Sequence, residues 1–235
     1  MKQKKEIIKP SFTDKSDIRL GFEVECVIYG DAYQQFCSAI HRLRSRTEIG
    51  SDGSIRWQAH NRNGVAARGV ELRTPPLPPK QSMELLERVF NIVNRYGLTN
   101  KSCGFHVNIS SKNKTKMKRF NPFTFLHSKI WRQILSTFKR RRNGYCSDVK
   151  SFDARKTSKV EYISNCSSSL FDKYKCVNLN NWNGINATSR VEIRGFGNKD
   201  YTKKIDVIAP FVKRIEKLFD FSCSNDNPFF QKTNI

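Results

Sequence analysis

Four short segments constrain this chain more than any other feature: Glu23-Val24-Glu25, Glu71-Leu72-Arg73, His106-Val107-Asn108 and Glu192-Ile193-Arg194. Each sets an apolar residue between two polar or ionisable ones, and each lies in a β-prone run, at 21–28, 69–74, 104–109 and 190–196. Side chains alternate across a strand, so the outer members of a triplet share one face and the middle member takes the other. If the four strands join one sheet with faces matched, Glu23, Glu25, Glu71, Glu192, His106, Asn108, Arg73 and Arg194 meet on a single surface. Any one triplet alone fits the solvated face of a half-exposed antiparallel sheet. The flanks argue against that for the set, because Gly21, Phe22, Cys26 and Ile28 surround the first pair and Cys103, Gly104 and Phe105 precede the histidine. Carboxylates in such surroundings cost several kcal/mol each unless a cation compensates them, and hard oxygen donors suit Mg²⁺ or Mn²⁺.

The rest of the chain supplies helices to cover the apolar face. Asp31 opens a helix to about residue 46, with Phe36, Ile40 and Leu43 as its buried stripe. Ser51-Asp52-Gly53-Ser54 is a turn before a short strand at 55–58, which forms a hairpin with the Glu71 strand. Pro75, Pro76, Pro78 and Pro79 then make a rigid connector that joins neither ladder nor helix interior. A helix over 81–96 carries Met83, Leu86, Phe90 and Val93 on one face and stops at Gly97. Lys112, Lys114, Lys116, Lys118 and Arg119 crowd a loop that calls for an anion, and Asn121-Pro122 starts one long helix ending in the basic run 139–142. Strands at 174–179 and 190–196 flank an Asn-rich turn, and Ile205, Ile208, Val212, Ile215 and Phe219 line a last helix.

The order β-α-β-β-α-β-α-β-β-α predicts an α+β domain with a mostly antiparallel sheet of about six strands. Its helices pack on the face bearing Val24, Leu72, Val107 and Ile193, and the polar face stays open, concave and wet. Residues 18–221 form that single domain, 1–17 a basic flexible lead-in, 143–170 a mobile insertion and 222–235 a loose tail.

Charge narrows the partners. The net charge is +22, and residues 101–160 hold 16 Lys or Arg against two acids, a surface that attracts phosphates, nucleic acid or an acidic polymer. Seven cysteines without CxxC or Cys/His spacing read as free thiols in a reducing compartment, and no apolar run is long enough to span a membrane. A cytoplasmic protein without membrane contact is expected. There is no P-loop or dinucleotide fingerprint.

Gly21-Phe22-Glu23-Val24-Glu25, Cys103-Gly104-Phe105-His106-Val107-Asn108-Ile109-Ser110 and Arg190-Val191-Glu192-Ile193-Arg194 resemble the metal and phosphate motifs of the glutamine synthetase-like carboxylate–amine ligases. With Asp52-Gly53-Ser54, Val70-Glu71-Leu72-Arg73-Thr74-Pro75-Pro76 and the stretch 174–180, the pattern over 18–220 is similar to the short amidoligases often encoded by phages and bacteria. The resemblance implies a glutamine synthetase catalytic-domain-like fold and an ATP- and Mg²⁺-dependent ligase that makes an amide through an acyl phosphate. It implies a metal on Glu23, His106 and Glu192 at the nucleotide phosphates, and a second on Glu25 and Glu71 nearer the acyl group. Relatives commonly carry a histidine where Asn108 stands. Arg194 and Arg73 can fork onto phosphate oxygens, and Asp52, on its turn, can accept the proton of an incoming amine. Asn108, Ser110, Asn178, Asn180 and Arg190 are candidates for orienting nucleotide or substrate. The expected substrates are an acidic peptide or other carboxylate and an amine. Two other classes compete: a basic nucleic-acid-binding or virion-associated protein with a vestigial ligase site, and a two-metal nuclease sharing the same carboxylates.

Overall fold

One long strand, β1 (Ile18–Ile28), carries the sheet in the computed structural model, which describes residues 10–62, 64–126, 128–140, 144, 146, 174–182 and 189–224. On one side β1 pairs with β3 (Arg68–Arg73), which pairs in turn with β2 (Glu48–Gly50). On the other side lie β5 (Gly104–Ser111), β7 (Val191–Gly197) and β6 (Val177–Asn178), in that order. A two-residue strand, β4 (Gly97–Leu98), pairs with the far end of β1. Every one of these pairings is antiparallel, so the domain is α+β with an open, seven-stranded sheet.

Among the described residues the α-helices are α1 (Tyr33–His41), α2 (Pro79–Tyr96), α3 (Lys114–Arg119), α4 (Pro122–Leu126), α5 (Ile130–Thr137) and α6 (Ile205–Ser222). α2 lies against β1, α5 against β7 and α6 against β5. Val24, Leu72, Val107 and Ile193, the middle members of the four triplets, are all fully buried. At the centre of this core Phe105 sits with its ring centroid 5.6 Å from Phe22, Phe90 and Phe196 and 5.7 Å from Tyr201. Burial of each such ring contributes about 1.5–3 kcal/mol, which anchors the strand whose next residue is His106.

A bulge lets β7 serve both faces. Phe105 pairs with Phe196 but Val107 with Ile193, so Arg194 and Gly195 together oppose the single residue His106. The extra residue changes the alternation, so Glu192 keeps to the polar side while Phe196 turns into the ring cluster. Gly195 is needed there, since a Cβ would lie 2.8 Å from Cys176 Sγ and 3.0 Å from Ile134 Cγ2.

Several local expectations are corrected. The hairpin partner of the Glu71 strand is Glu48–Gly50, not a strand at 55–58, where Ile55 is buried and Gln58–His60 forms a 3₁₀ turn. The first helix ends at His41, because Arg44 and Arg46 adopt positive φ. α2 begins at Pro79, whose missing N–H costs nothing in a first turn. The connector before it does join the ladder, because Leu77, between two prolines, exchanges both backbone hydrogen bonds with Leu20 at 2.9 and 3.0 Å. The lysine-rich loop is a short helix capped by the Asn113 side chain. Its Lys116 finds its anions within the chain, in Asp17 at 2.9 Å and in Asp220. The single long helix is two, α4 and α5, and its basic end includes the buried Arg140. The lead-in up to residue 9, the insertion expected at 143–170 apart from residues 144 and 146, and the tail from 225 lie outside the described residues.

Candidate active site

Register places the polar members of the triplets side by side. Glu23 pairs with Arg73 on one side and His106 on the other, Glu25 pairs with Glu71, and Asn108 pairs with Glu192, which pairs with Asn178. The open, wet face expected from the sequence is instead largely closed: Glu25, Glu71, His106 and Glu192 are 5%, 5%, 2% and 4% exposed.

Two triads result. In the first, His106 Nδ1 lies 2.9 Å from Glu23 Oε2 and 3.3 Å from Glu192 Oε1. In the second, the carboxylates of Glu25, Asp52 and Glu71 come together. Within each triad one donor atom from each residue lies within 4.8 Å of the others. Octahedral Mg²⁺ with oxygens at about 2.1 Å needs neighbouring donors roughly 3 Å apart and opposite ones about 4.2 Å apart, and the 2.9 and 3.3 Å spacings of the first set match neighbouring positions around such an ion. The imidazole links the triads, since its Nε2 lies 3.5 Å from Glu25 Oε1. With Nδ1 offered to a cation, the proton sits on Nε2 facing that carboxylate.

The surrounding strands hold each ligand in place. Asn108 Nδ2 donates to Glu23 Oε1 at 2.9 Å, and Arg190 Nε donates to Asn108 Oδ1 at 3.1 Å. Glu192 accepts from Arg194 Nη1 at 2.6 Å and from Asn178 Nδ2 at 2.8 Å. Glu71 pairs with the half-exposed Arg73. The β1–β5 ladder ends at Val24–Phe105, and past that point Gly104 N–H turns to the Glu25 side chain at 2.5 Å while the buried Tyr201 hydroxyl donates to the Glu25 carbonyl at 2.7 Å. Gly104 must lack a side chain, because a Cβ would stand 2.9 Å from His106 Nε2 and 3.0 Å from Glu25 Oε1.

Electrostatics shows a cluster short of positive charge. Burial opposes ionisation of Glu23, yet the hydrogen bond and charge of His106, the Asn108 amide and the charge of Arg190 outweigh it and hold the carboxyl down at about 2. Burial also opposes protonation of His106, but the hydrogen bond to Glu23 and the charges of Glu25 and Glu192 raise it despite Arg194. Glu71 is pushed up by burial and by the charge of Glu23, with Arg73 pulling the other way. The carboxylates around His106 thus favour its charged form, as they would favour a divalent ion in the same place. Five carboxylates, of Glu23, Glu25, Asp52, Glu71 and Glu192, face three guanidiniums, of Arg73, Arg190 and Arg194, so the cluster has the charge and the oxygen donors to hold cations.

The remaining candidates are scattered around this centre. Ser110 lies two residues beyond Asn108 on β5, opposite Arg19. Asn178 Oδ1 accepts from Asn180 N–H at 2.9 Å, which leaves Asn180 exposed on the turn after β6. Arg194 Nε is buried and makes no hydrogen bond. Asp52, expected only as a proton acceptor, stands beside Glu25 and Glu71, with Oδ1 accepting from Ser54 N–H at 2.7 Å. Its loop is stapled to the turn before β5: Arg56 N–H donates to Ser102 Oγ at 2.8 Å and Asn100 Nδ2 to Arg56 O at 2.6 Å. Tyr201 and Asn100 carry no expectation from the sequence, and Gly104 enters there only as a flank of the His106 strand. Tyr201 left one signal, an aromatic residue in an otherwise polar turn after the last strand.

An α+β domain with two acidic triads meeting on one face of an antiparallel sheet is thus the class that fold and site define. Residues 16–215 match the model of the family described as "putative amidoligase enzyme", and the chain belongs to that family. The coarse chemistry of such a family is the joining of a carboxylate to an amine. A search of curated proteins finds no match.

Proposed function

We propose that the protein is an ATP- and Mg²⁺-dependent carboxylate–amine ligase with a glutamine synthetase-like catalytic fold. The observation that carries this reading is the pair of adjacent triads, Glu23/His106/Glu192 and Glu25/Asp52/Glu71, linked through one imidazole. Two divalent ions there would neutralise charge on a transferring phosphoryl group, which is what phosphoryl transfer most requires. The substrate carboxylate attacks the γ-phosphorus of ATP, ADP leaves, and an acyl phosphate forms. An amine then attacks the acyl carbon, phosphate leaves, and an amide remains.

The protein's own groups bind and orient. Arg194, whose buried Nε lacks a partner, offers that N–H to a phosphate oxygen while Nη1 holds Glu192. Arg190 and Asn108 set the Glu23 end of the first triad, and Asn178 fixes Glu192 from the edge strand. Arg73, on the more exposed side, meets the anionic substrate. Asp52 is the member of its triad that is not buried, so it is the carboxylate an incoming amine reaches and the one that takes its proton. The exposed Lys112, Lys114, Lys118 and Arg119 favour an acidic carboxylate substrate such as a Glu-rich peptide.

The test is turnover. Purified protein with ATP, Mg²⁺, acidic peptides and a panel of amines should release ADP and phosphate in equal amounts, and Glu192→Gln should lose this activity by at least about a hundredfold. Failure to bind ATP with any divalent cation would end the proposal. Cleavage of DNA without ATP would replace it with the nuclease reading, and salt-sensitive DNA binding unaffected by Glu192→Gln with the nucleic-acid-binding one.

A further inference from the structure

We infer that Arg140 is a positioning residue for the second cation site, acting on Glu25 through the peptide group between Cys103 and Gly104; this rests on the ligase reading, which makes Glu25 a ligand. That peptide is held at both ends. Its carbonyl accepts from Arg140 Nη1 at 2.9 Å and from Asn198 N–H at 2.8 Å. Its N–H donates to Glu25 Oε2 at 2.5 Å. A guanidinium on the carbonyl polarises the amide and makes the N–H of the same peptide a stronger donor to the carboxylate. Glu25 is thereby fixed on one oxygen and leaves the other, Oε1, toward His106 Nε2.

The arrangement is built rather than incidental. Arg140 is 4% exposed, with Nε donating to Cys146 Sγ at 3.0 Å and its backbone N–H to Leu135 O at 2.7 Å at the end of α5. Gly197 makes room for it: its φ is +125°, and a Cβ there would lie 2.5 Å from both Arg140 Nη1 and Cys103 O. Asn198 Nδ2 donates to Phe138 O at 2.9 Å, which ties the turn after β7 to the turn that carries Arg140. Two chain reversals from distant parts of the sequence therefore converge on the peptide next to a single glutamate. Nothing comparable touches the peptide groups beside Glu23 or Glu192 among the described residues. A guanidinium that only stabilised the fold would have no preference between the two triads.

Mn²⁺ binding to the full chain, followed by electron paramagnetic resonance and calorimetry without nucleotide, tests this. Glu192→Gln and Glu71→Gln assign the two sites in the wild type. Arg140→Met should raise the dissociation constant of the second site about 10- to 100-fold, the usual effect of removing an outer-shell partner, and leave the first within about twofold. Arg140→Lys, which keeps the cation and one donor, should fall between. Equal weakening of both sites, or no change in a variant whose circular dichroism is native, overturns the inference. If Arg140→Met does not fold, Arg140→Lys decides by the same selectivity between sites. A wild type that binds no Mn²⁺ removes the ligase reading and this inference together. Two wild-type sites with Arg140 variants unaltered remove this inference alone.

Discussion

Tyr201→Phe deletes one oxygen and keeps the ring. The hydroxyl donates to the Glu25 carbonyl at 2.7 Å in a fully buried position, and the ring contacts with Phe90 and Phe105, at 5.7 Å, survive the change. What is lost is a hydrogen bond, leaving a buried carbonyl unpaired, at a cost of about 1–3 kcal/mol. In a chain of this size each kcal/mol moves the melting midpoint by roughly 2–4 °C, so the variant should melt about 4–8 °C lower for a mid-range loss of about 2 kcal/mol. Urea and thermal unfolding at pH 7 in EDTA measure it without a contribution from cations. The pH profile adds a second check. Burial, helped by the nearby Cys103, Cys26 and Glu25, pushes the Tyr201 hydroxyl well above its ordinary value. A folded pKa above the unfolded one means stability that is fully present below about pH 10 and lost as pH rises beyond it. The wild type should therefore lose stability more steeply than Tyr201→Phe on the alkaline side. A loss under about 0.5 kcal/mol at pH 7, with parallel alkaline profiles, would refute the role given to this hydroxyl.

Three further perturbations probe the site and its support. Glu71→Gln should raise the melting temperature in EDTA at neutral pH, because burial and Glu23 push the Glu71 carboxyl up and its ionisation then opposes folding; excess Mn²⁺ should reverse the order of variant and wild type, as differential scanning fluorimetry would show. Phe105→Ala should cost about 3–5 kcal/mol by urea unfolding, since it empties the centre of a five-ring cluster. Lys116→Met should cost about 1 kcal/mol or less, as its pairs with Asp17 and Asp220 are partly solvated. Burial works against it, but Lys116 and Ser111 hold the Asp17 carboxyl below its usual value, so this contribution is present above about pH 4 and fades on acidification; the variant's acid unfolding curve should be flatter there.

The sheet and its polar face were legible because the signal is local: period-two alternation around Val24, Leu72, Val107 and Ile193 survives whatever the chain does elsewhere. Which strand lies beside β3 was not, since Ile55 looks as strand-like as Ile49 and only packing beneath Gly69 decides between them, with a Cβ on Gly69 only 2.9 Å from Ile55 Cβ. The burial of the acids was also hidden, because alternation gives direction without saying what covers a face. In the sequence Arg140 is one cation of the basic run 139–142 that suits a helix C-terminus, and nothing local marks it for burial; the contacts that bury it come from residues 103 and 197, far away along the chain. Asp52 was singled out from its turn, but its place with Glu25 and Glu71 depends on the Asn100–Arg56 staple, a contact no local pattern encodes. The resemblance to amidoligases, resting on motif order, was supported over residues 16–215.

Crystals grown with Mn²⁺ and a non-hydrolysable ATP analogue, read by anomalous scattering, test the core of this account most directly. Two manganese peaks are expected on the polar face of the sheet, one bound by Glu23, His106 and Glu192 and one by Glu25, Asp52 and Glu71, with nucleotide phosphate oxygens on the first and the Arg194 guanidinium against them. A map with no manganese at either triad, or with the nucleotide bound away from this face, would contradict it.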